Sequence, residues 1–384
     1  MPTASSCSTA ATWRPTRRPG GRSNRRFCGP CSKWRPTSRR TPRGAPGFAM
    51  RPERQAPVRL ARLVAAGLLL ALVAAAVLPL VGSARIDYAR AFAGLSPDKE
   101  ILFQARLPRV LLGLLVGGAL AVAGVLFQAL VRDALADPYV LGVAGGASVG
   151  AVLAICFGWS RWAGFSAITV SAWVGAGVVL LLVVAIASRG NRMSSFTLLL
   201  AGITLNSICA ALLLLLHNLA DFGQSFVVLR WLMGSLEPVG YRTLAWLAAV
   251  TGAAVGLAFQ RARQWNLLAV GEEWAMARGV SPSRSLLVGF LAGSLITAAV
   301  TALAGPIAFV GLIVPHALRL RIGADHRLLV PAAFFAGGVF LAVCDTVARV
   351  ALAPAEIPVG VITALLGGPF FIWLLGSRRR SLWL

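Results

Sequence analysis

Apolar runs of about 20 residues, separated by short polar segments, make up most of the sequence and limit the folds open to it. A helix of that length crosses a bilayer and satisfies its own backbone hydrogen bonds there. Only 13% of the residues are charged, against about 25% in soluble domains. The pattern therefore predicts an all-α membrane protein with about ten transmembrane helices. We expect these spans at roughly 61–82, 107–131, 139–159, 165–187, 195–217, 241–259, 285–303, 306–321, 330–352 and 358–376.

The first 57 residues differ in composition from the rest. Residues 1–49 contain no acidic residue and are rich in Arg, Pro, Ser, Thr and Gly, a composition typical of disordered segments. Cys28 and Cys31 have redox or zinc-site spacing but lack a second pair of ligands. We expect translation to begin at or near Met50; the alternative is a basic arm that contacts anionic lipid. The chain thus divides into a basic extension, 1–57, and a membrane domain, 58–384.

The formal charge of +24 is distributed as in a membrane protein. Fifteen of the 37 Lys and Arg residues lie in 1–62, and the others cluster in short loops between apolar runs. This pattern argues against nucleic acid as a partner. Because basic loops stay in the cytoplasm and the number of spans is even, both termini are predicted to be cytoplasmic.

The longest polar interruption is the loop 260–284, which holds the only adjacent acidic pair, Glu272 and Glu273, and four arginines. Gly271 and Gly279 delimit a helix inside it that is too short to cross a bilayer. It lies between two segments that are long enough to do so. We interpret it as a docking surface on the cytoplasmic side.

Two stretches indicate an internal duplication. Residues 134–142 (ALADPYVLG) are similar to residues 302–311 (ALAGPIAFVG), and each follows an apolar helix rich in Gly and Ala. The two preceding helices are the second and the seventh spans, an odd five apart in order, so the copies would face opposite ways across the membrane. Inverted repeats of this kind are typical of transporters.

Few residues in the predicted membrane domain have side chains suited to ion pairing, proton transfer or partner binding. Asp345 is the only carboxylate well inside an apolar run, and Arg349 follows at i+4; a local ion pair and a proton-relay carboxylate are both open. Arg106, Arg109 and Arg349 are expected at the external end, either as a site for carboxylates of a partner or as lipid headgroup anchors. The sequence contains no metal-ligand spacing, no phosphate-binding loop and no catalytic triad, so we expect neither a bound metal or cofactor nor an enzyme.

Several stretches resemble the FecCD-type permeases, the membrane subunits of ABC importers for iron-siderophore complexes, haem and cobalamin. The similarity runs from about residue 58 to the C-terminus and keeps the order of the motifs. The stretches are 106–109, 134–143, 200–202, 230–234, 271–280, 304–316, 356–360 and 367–371. One departure is Arg132-Asp133, where an Asn is more usual before the Ala-Leu-Ala stretch.

The resemblance implies the ABC type II importer permease fold, working as a homodimer in lipid of the cytoplasmic (inner) membrane. An ABC ATP-binding subunit would dock on the cytoplasmic face and a periplasmic or lipid-anchored substrate-binding protein on the outer face. Residues of the loop 260–284 would enter the ATP-binding subunit, and arginines at the outer face would accept acidic residues of the binding protein. The coupling residues would be Gly271, Glu272, Glu273, Ala275, Arg278 and Gly279, the docking arginines Arg106, Arg109 and Arg349, and the gate residues Thr204 and Asn206.

The function that the resemblance implies is ATP-driven uptake of an iron chelate, a siderophore complex or haem, with hydrolysis in the separate subunit. A cobalamin importer is the alternative. An ion-coupled secondary transporter is a further hypothesis, and Asp345 is the one intramembrane acid that would serve it.

Overall fold

The computed structural model describes residues 56–82, 86–159, 161–162, 165–188 and 193–378. The predicted basic extension, apart from its last two positions, lies outside the described residues. So do Met50 and the pair Cys28 and Cys31.

The described chain is almost entirely helical. Its helices, in chain order, are α1 (Ala56–Val77), α2 (Tyr88–Phe92), α3 (Asp98–Glu100), α4 (Leu107–Val131), α5 (Val143–Cys156), α6 (Ala167–Ala187), α7 (Ser195–Leu219), α8 (Phe222–Leu232), α9 (Tyr241–Gln260), α10 (Ala262–Val270), α11 (Glu272–Ala277), α12 (Pro282–Ala304), α13 (Val310–Ile322), α14 (His326–Val350) and α15 (Val359–Arg378). A 3-10 turn follows α1 (Leu78–Leu80), and a π-helical turn precedes α4 (Ile101–Arg106). Two short antiparallel strands, β1 (Arg161–Trp162) and β2 (Phe165–Ser166), precede α6.

Ten of these helices occupy the ten predicted positions, which confirms the all-α membrane class. Among the described residues, seven helices are long and apolar enough to cross a membrane. The predicted spans 139–159 and 306–321 are only partly helical: α5 has 14 residues and α13 has 13. Both begin late because their first flanking residue has a left-handed backbone, Gly142 at φ 84° and Phe309 at φ 72°.

The helix α4 forms the centre of the bundle and is buried along most of its length. Glycines allow its neighbours to approach until backbones touch. A Cβ atom on Gly117 would clash with the carbonyl oxygen of Gly337 on α14, and one on Gly124 would clash with the carbonyl oxygen of Gly311 on α13. Helices in lipid gain no hydrophobic free energy by associating, so the van der Waals packing that this close approach allows holds them together.

The two similar stretches meet inside the bundle. The backbone N–H of Ile307 donates to the hydroxyl oxygen of Tyr139 at 2.7 Å, and the side-chain amide of Gln128 donates to the carbonyl oxygen of Gly311 at 3.2 Å. Two backbone groups of the second stretch, at Ile307 and Gly311, thereby gain partners outside their own helix, Tyr139 of the first stretch and Gln128 of α4. The preceding helices, α4 and α12, run in opposite directions, as an inverted repeat requires.

Candidate functional site: the two polar ends of the bundle

Polar side chains gather at the two ends of the helical bundle. We call the end where α4 begins and α14 finishes the arginine end. The opposite end, where α4 finishes and α14 begins, carries α10 and α11, and we call it the α11 end. About 34 Å of helix separates Arg109 from Arg132, because α4 rises about 1.5 Å per residue.

A buried ion-pair network lies at the arginine end. The Nε and Nη2 atoms of Arg109 donate to the two carboxylate oxygens of Asp345 at 3.0–3.2 Å, in a bidentate arrangement. The Nη1 atom of Arg109 donates to Oε2 of Glu356 at 2.9 Å. The predicted ion pair between Asp345 and Arg349 is confirmed, with Nε and Oδ2 3.2 Å apart. Asp345 thus balances two arginines.

The three predicted docking arginines lie together at the arginine end, and their side chains are largely withdrawn from the surface. Arg106 and Arg349 are buried, and the side chain of Arg109 is 12% exposed. The physical reason is that the chain supplies their partners itself. Arg106 donates to the carbonyl oxygen of Pro79 at 3.3 Å, and Asp345 pairs with the other two.

These arginines instead line a cavity of about 610 Å³. Three further charged side chains that were not predicted as site residues also line it: Arg230 from α8, Glu237 and Glu356. Arg230 is exposed and has no ion pair among the described residues. It could have been found, since it opens the stretch 230–234 that carries part of the family resemblance. We call this space the arginine cavity.

The α11 end presents a short helix to solvent. Trp274 is 62% exposed, and Glu273, Met276, Arg278 and Gly279 are exposed beside it. We call these five residues the α11 surface.

Three of the predicted coupling residues are not part of the α11 surface, although they lie in α11 or directly before it. Ala275 is fully buried, so it anchors α11 to the body and cannot enter a partner, which corrects the prediction. Glu272 accepts from Nη2 of Arg132 at 2.9 Å, so its carboxylate is engaged within the chain. Gly271 precedes the first residue of α11 and is half-buried.

The departure at Arg132-Asp133 is chemically conservative. Oδ1 of Asp133 accepts the backbone N–H of Leu135 at 2.9 Å, a turn that an Asn side-chain oxygen makes equally well. Arg132 ends α4 with a left-handed backbone, φ 58°, and points its guanidinium at α11.

The two predicted gate residues lie on α7 but do not form one site. Thr204 is exposed, and its hydroxyl donates to the carbonyl oxygen of Leu200 at 2.9 Å. Asn206 is half-buried, and its side-chain oxygen lies against Gly145 of α5. Among the described residues, no group of three or more His, Cys, Asp or Glu side chains is placed to hold a metal ion.

Comparison with known proteins shows the family of the chain. The model of the FecCD transport family matches residues 67–377, well over half of the chain. The chain belongs to the FecCD transport family.

Two relatives and one solved structure are similar to the chain over most of its length. The hemin transport system permease protein HmuU of Yersinia pestis is 39% identical over 284 residues, covering 73% of this chain and 85% of its own length. The cobalamin import system permease protein BtuC of Halobacterium salinarum is 41% identical over 277 residues, covering 71% and 73% respectively. A solved structure, described as an inward-facing conformation of a metal-chelate type ABC transporter, superposes with a TM-score of 0.71 at 31% identity. It covers 82% of this chain and 99% of its own.

Proposed function

We propose that this FecCD-family chain is the transmembrane permease subunit of an ATP-driven ABC importer. It moves an iron chelate, a siderophore complex or haem, inward across the cytoplasmic membrane. The hemin relative and the metal-chelate transporter structure support this cargo class. The chain itself does not hydrolyse ATP; a separate ATP-binding subunit does.

The observation that carries the proposal is the α11 surface. It is a short, solvent-exposed helix with two large apolar side chains, Trp274 and Met276, beside charged ones. Exposed aromatic and Met side chains with a charged rim are typical of a protein interface. We propose that the ATP-binding subunit docks here, with Glu273 and Arg278 at the rim.

The arginine cavity lies at the opposite end, and we propose that the substrate-binding protein docks over it. Arg230 supplies the exposed guanidinium for a partner carboxylate, while Arg106, Arg109 and Arg349 form the floor. The α11 end is then cytoplasmic, together with both termini, and the arginine end faces the outside.

A homodimer is part of the proposal. The helix α7 exposes a series of large apolar side chains, which a second copy and membrane lipid would cover between them. These are Phe196, Leu200, Ile203, Ile208, Leu212, Leu214, Leu215 and Leu219. Thr204 lies on the same helix and would border the pathway between the two copies.

Cobalamin remains the alternative cargo, because a cobalamin permease is a comparably similar relative. The ion-coupled hypothesis is weakened by Asp345: its carboxylate is paired with two arginines and is not available as a relay.

Uptake into proteoliposomes tests the proposal. The permease is reconstituted with its ATP-binding subunit and binding protein, and labelled ferric siderophore, haemin and cobalamin are offered in turn. We expect uptake of an iron chelate or haemin only with ATP on the side of the ATP-binding subunit. Uptake driven by a proton or sodium gradient without ATP would contradict the proposal, and uptake of cobalamin alone would select the alternative.

A further inference from the structure

The α11 surface belongs to a helical hairpin, α10 and α11, that makes polar contacts with two different membrane helices. The first contact is the ion pair between Glu272 on α11 and Arg132 at the end of α4, with 2.9 Å between Oε1 and Nη2. The second involves Asn266 on α10 and the start of α14. A hairpin attached at two separate points cannot rotate about either one alone.

The second contact is built around the side-chain amide of Asn266. Its oxygen accepts the backbone N–H of His326 at 2.9 Å, and its nitrogen donates to Oδ1 of Asp325 at 2.8 Å. The same carboxylate oxygen accepts the backbone N–H of Arg327 at 3.0 Å and so caps α14. Asn266 therefore holds the first turn of α14, and its side-chain amide uses both its acceptor and its donor to do so.

The two helices reached by these contacts are packed backbone to backbone. Besides the contact of Gly117 with Gly337, a Cβ atom on Gly338 of α14 would clash with the carbonyl oxygen of Leu114 on α4. At the arginine end, the same two helices are joined by Arg109 and Asp345. The hairpin, α4 and α14 are thus connected at both ends and along the middle.

We propose that Arg132 and Asn266 are positioning residues that attach the α10–α11 hairpin to α4 and α14, so that the three elements move as one body. A displacement of α11 is then delivered to the floor of the arginine cavity. This inference rests on the proposed function, because it takes the ATP-binding subunit as the source of the displacement.

The test uses the full transporter and three variants: Arg132→Ala, Asn266→Ala and the control Arg263→Ala, which alters an exposed arginine on the same helix α10. Three quantities are measured: affinity for the ATP-binding subunit, basal ATP hydrolysis, and the stimulation of hydrolysis by loaded binding protein. We expect affinity and basal hydrolysis to stay near wild type in all three. The stimulation should fall roughly 2- to 30-fold in the first two, the range for loss of a coupling contact.

A charge-exchange variant distinguishes the loss of a positioning contact from general destabilisation of the fold. Exchanging the two charges, Arg132→Glu with Glu272→Arg, should restore stimulation that Arg132→Ala loses. Unchanged stimulation in Arg132→Ala and Asn266→Ala would overturn the inference and leave the proposed function standing. Failure of the wild-type permease to bind any ATP-binding subunit would instead overturn the proposed function, and the inference with it.

Cross-linking gives a second measurement that does not depend on weakening the fold. The variant Arg132→Cys with Glu272→Cys, in a background free of the native cysteines, is cross-linked with a short bifunctional thiol reagent. If hairpin and α4 move together, uptake should survive the cross-link. Loss of uptake that returns on cleaving the reagent would show that the hairpin separates from α4 during the cycle, and would overturn the inference.

Discussion

Removing the charge of Asp345 gives the sharpest test of the network at the arginine end. The substitution Asp345→Asn keeps the shape of the side chain but leaves Arg109 and Arg349 without their shared carboxylate. Arg109 would keep its ion pair with Glu356, whose side chain is 43% exposed. Among the described residues Arg349 would keep no ion pair, although it would retain its hydrogen bond to the hydroxyl of Thr346 at 3.1 Å.

The expected magnitude follows from burial. The Asp345 side chain is 2% exposed and that of Arg349 is 6% exposed, so the ion pair between them lies largely out of contact with water. Loss of one partner of a buried ion pair costs about 3–5 kcal/mol. The matched control is Glu356→Gln, which removes a more exposed charge from the same arginine and should cost at most about 1 kcal/mol.

Unfolding of both variants is followed by tryptophan fluorescence during titration with SDS in mixed micelles. We expect a clearly earlier midpoint for Asp345→Asn and a midpoint close to wild type for Glu356→Gln. Equal midpoints for the two variants would refute the argument that Asp345 is the buried centre of the network.

Three other outcomes are expected. The substitution Gly117→Ala should destabilise the bundle by about 1–3 kcal/mol through overpacking between α4 and α14, whereas Gly177→Ala, with no atom within 4 Å of the new Cβ, should be tolerated in the same titration. Tyr139→Phe leaves the backbone N–H of Ile307 without its acceptor and should cost about 1–3 kcal/mol by the same measure. Arg230→Glu should weaken association of the binding protein, more strongly at low than at high salt, without loss of stability; surface plasmon resonance at two salt concentrations checks this.

The ten spans were predictable because each depends on a local property, the length of an apolar run. The first residue of α13 was not predictable from the sequence. Phe309, the residue before α13, has a left-handed backbone that a bulky side chain rarely adopts. No feature of the neighbouring sequence predicts this conformation. Tertiary contacts with the other similar stretch hold it there.

The candidate site was predictable in part. The glycines around α11 correctly indicated a short polar helix, and the i,i+4 spacing correctly paired Asp345 with Arg349. The second partner of Asp345, Arg109, is 236 residues away in the chain, and no periodic pattern connects them. The burial of Ala275 likewise depends on how α11 packs against the body, which the sequence of the loop does not specify.

The central claim is that the chain receives mechanical work from an ATP-binding subunit at the α11 surface. Site-specific photo-cross-linking tests it most directly, with a photoreactive amino acid placed at Trp274 and, as control, at the fully exposed Phe222 of the arginine end. In membranes containing the complete transporter, we predict capture of the ATP-binding subunit from position 274 and none from position 222. Absence of that subunit at position 274, or equal capture at both positions, would contradict the account.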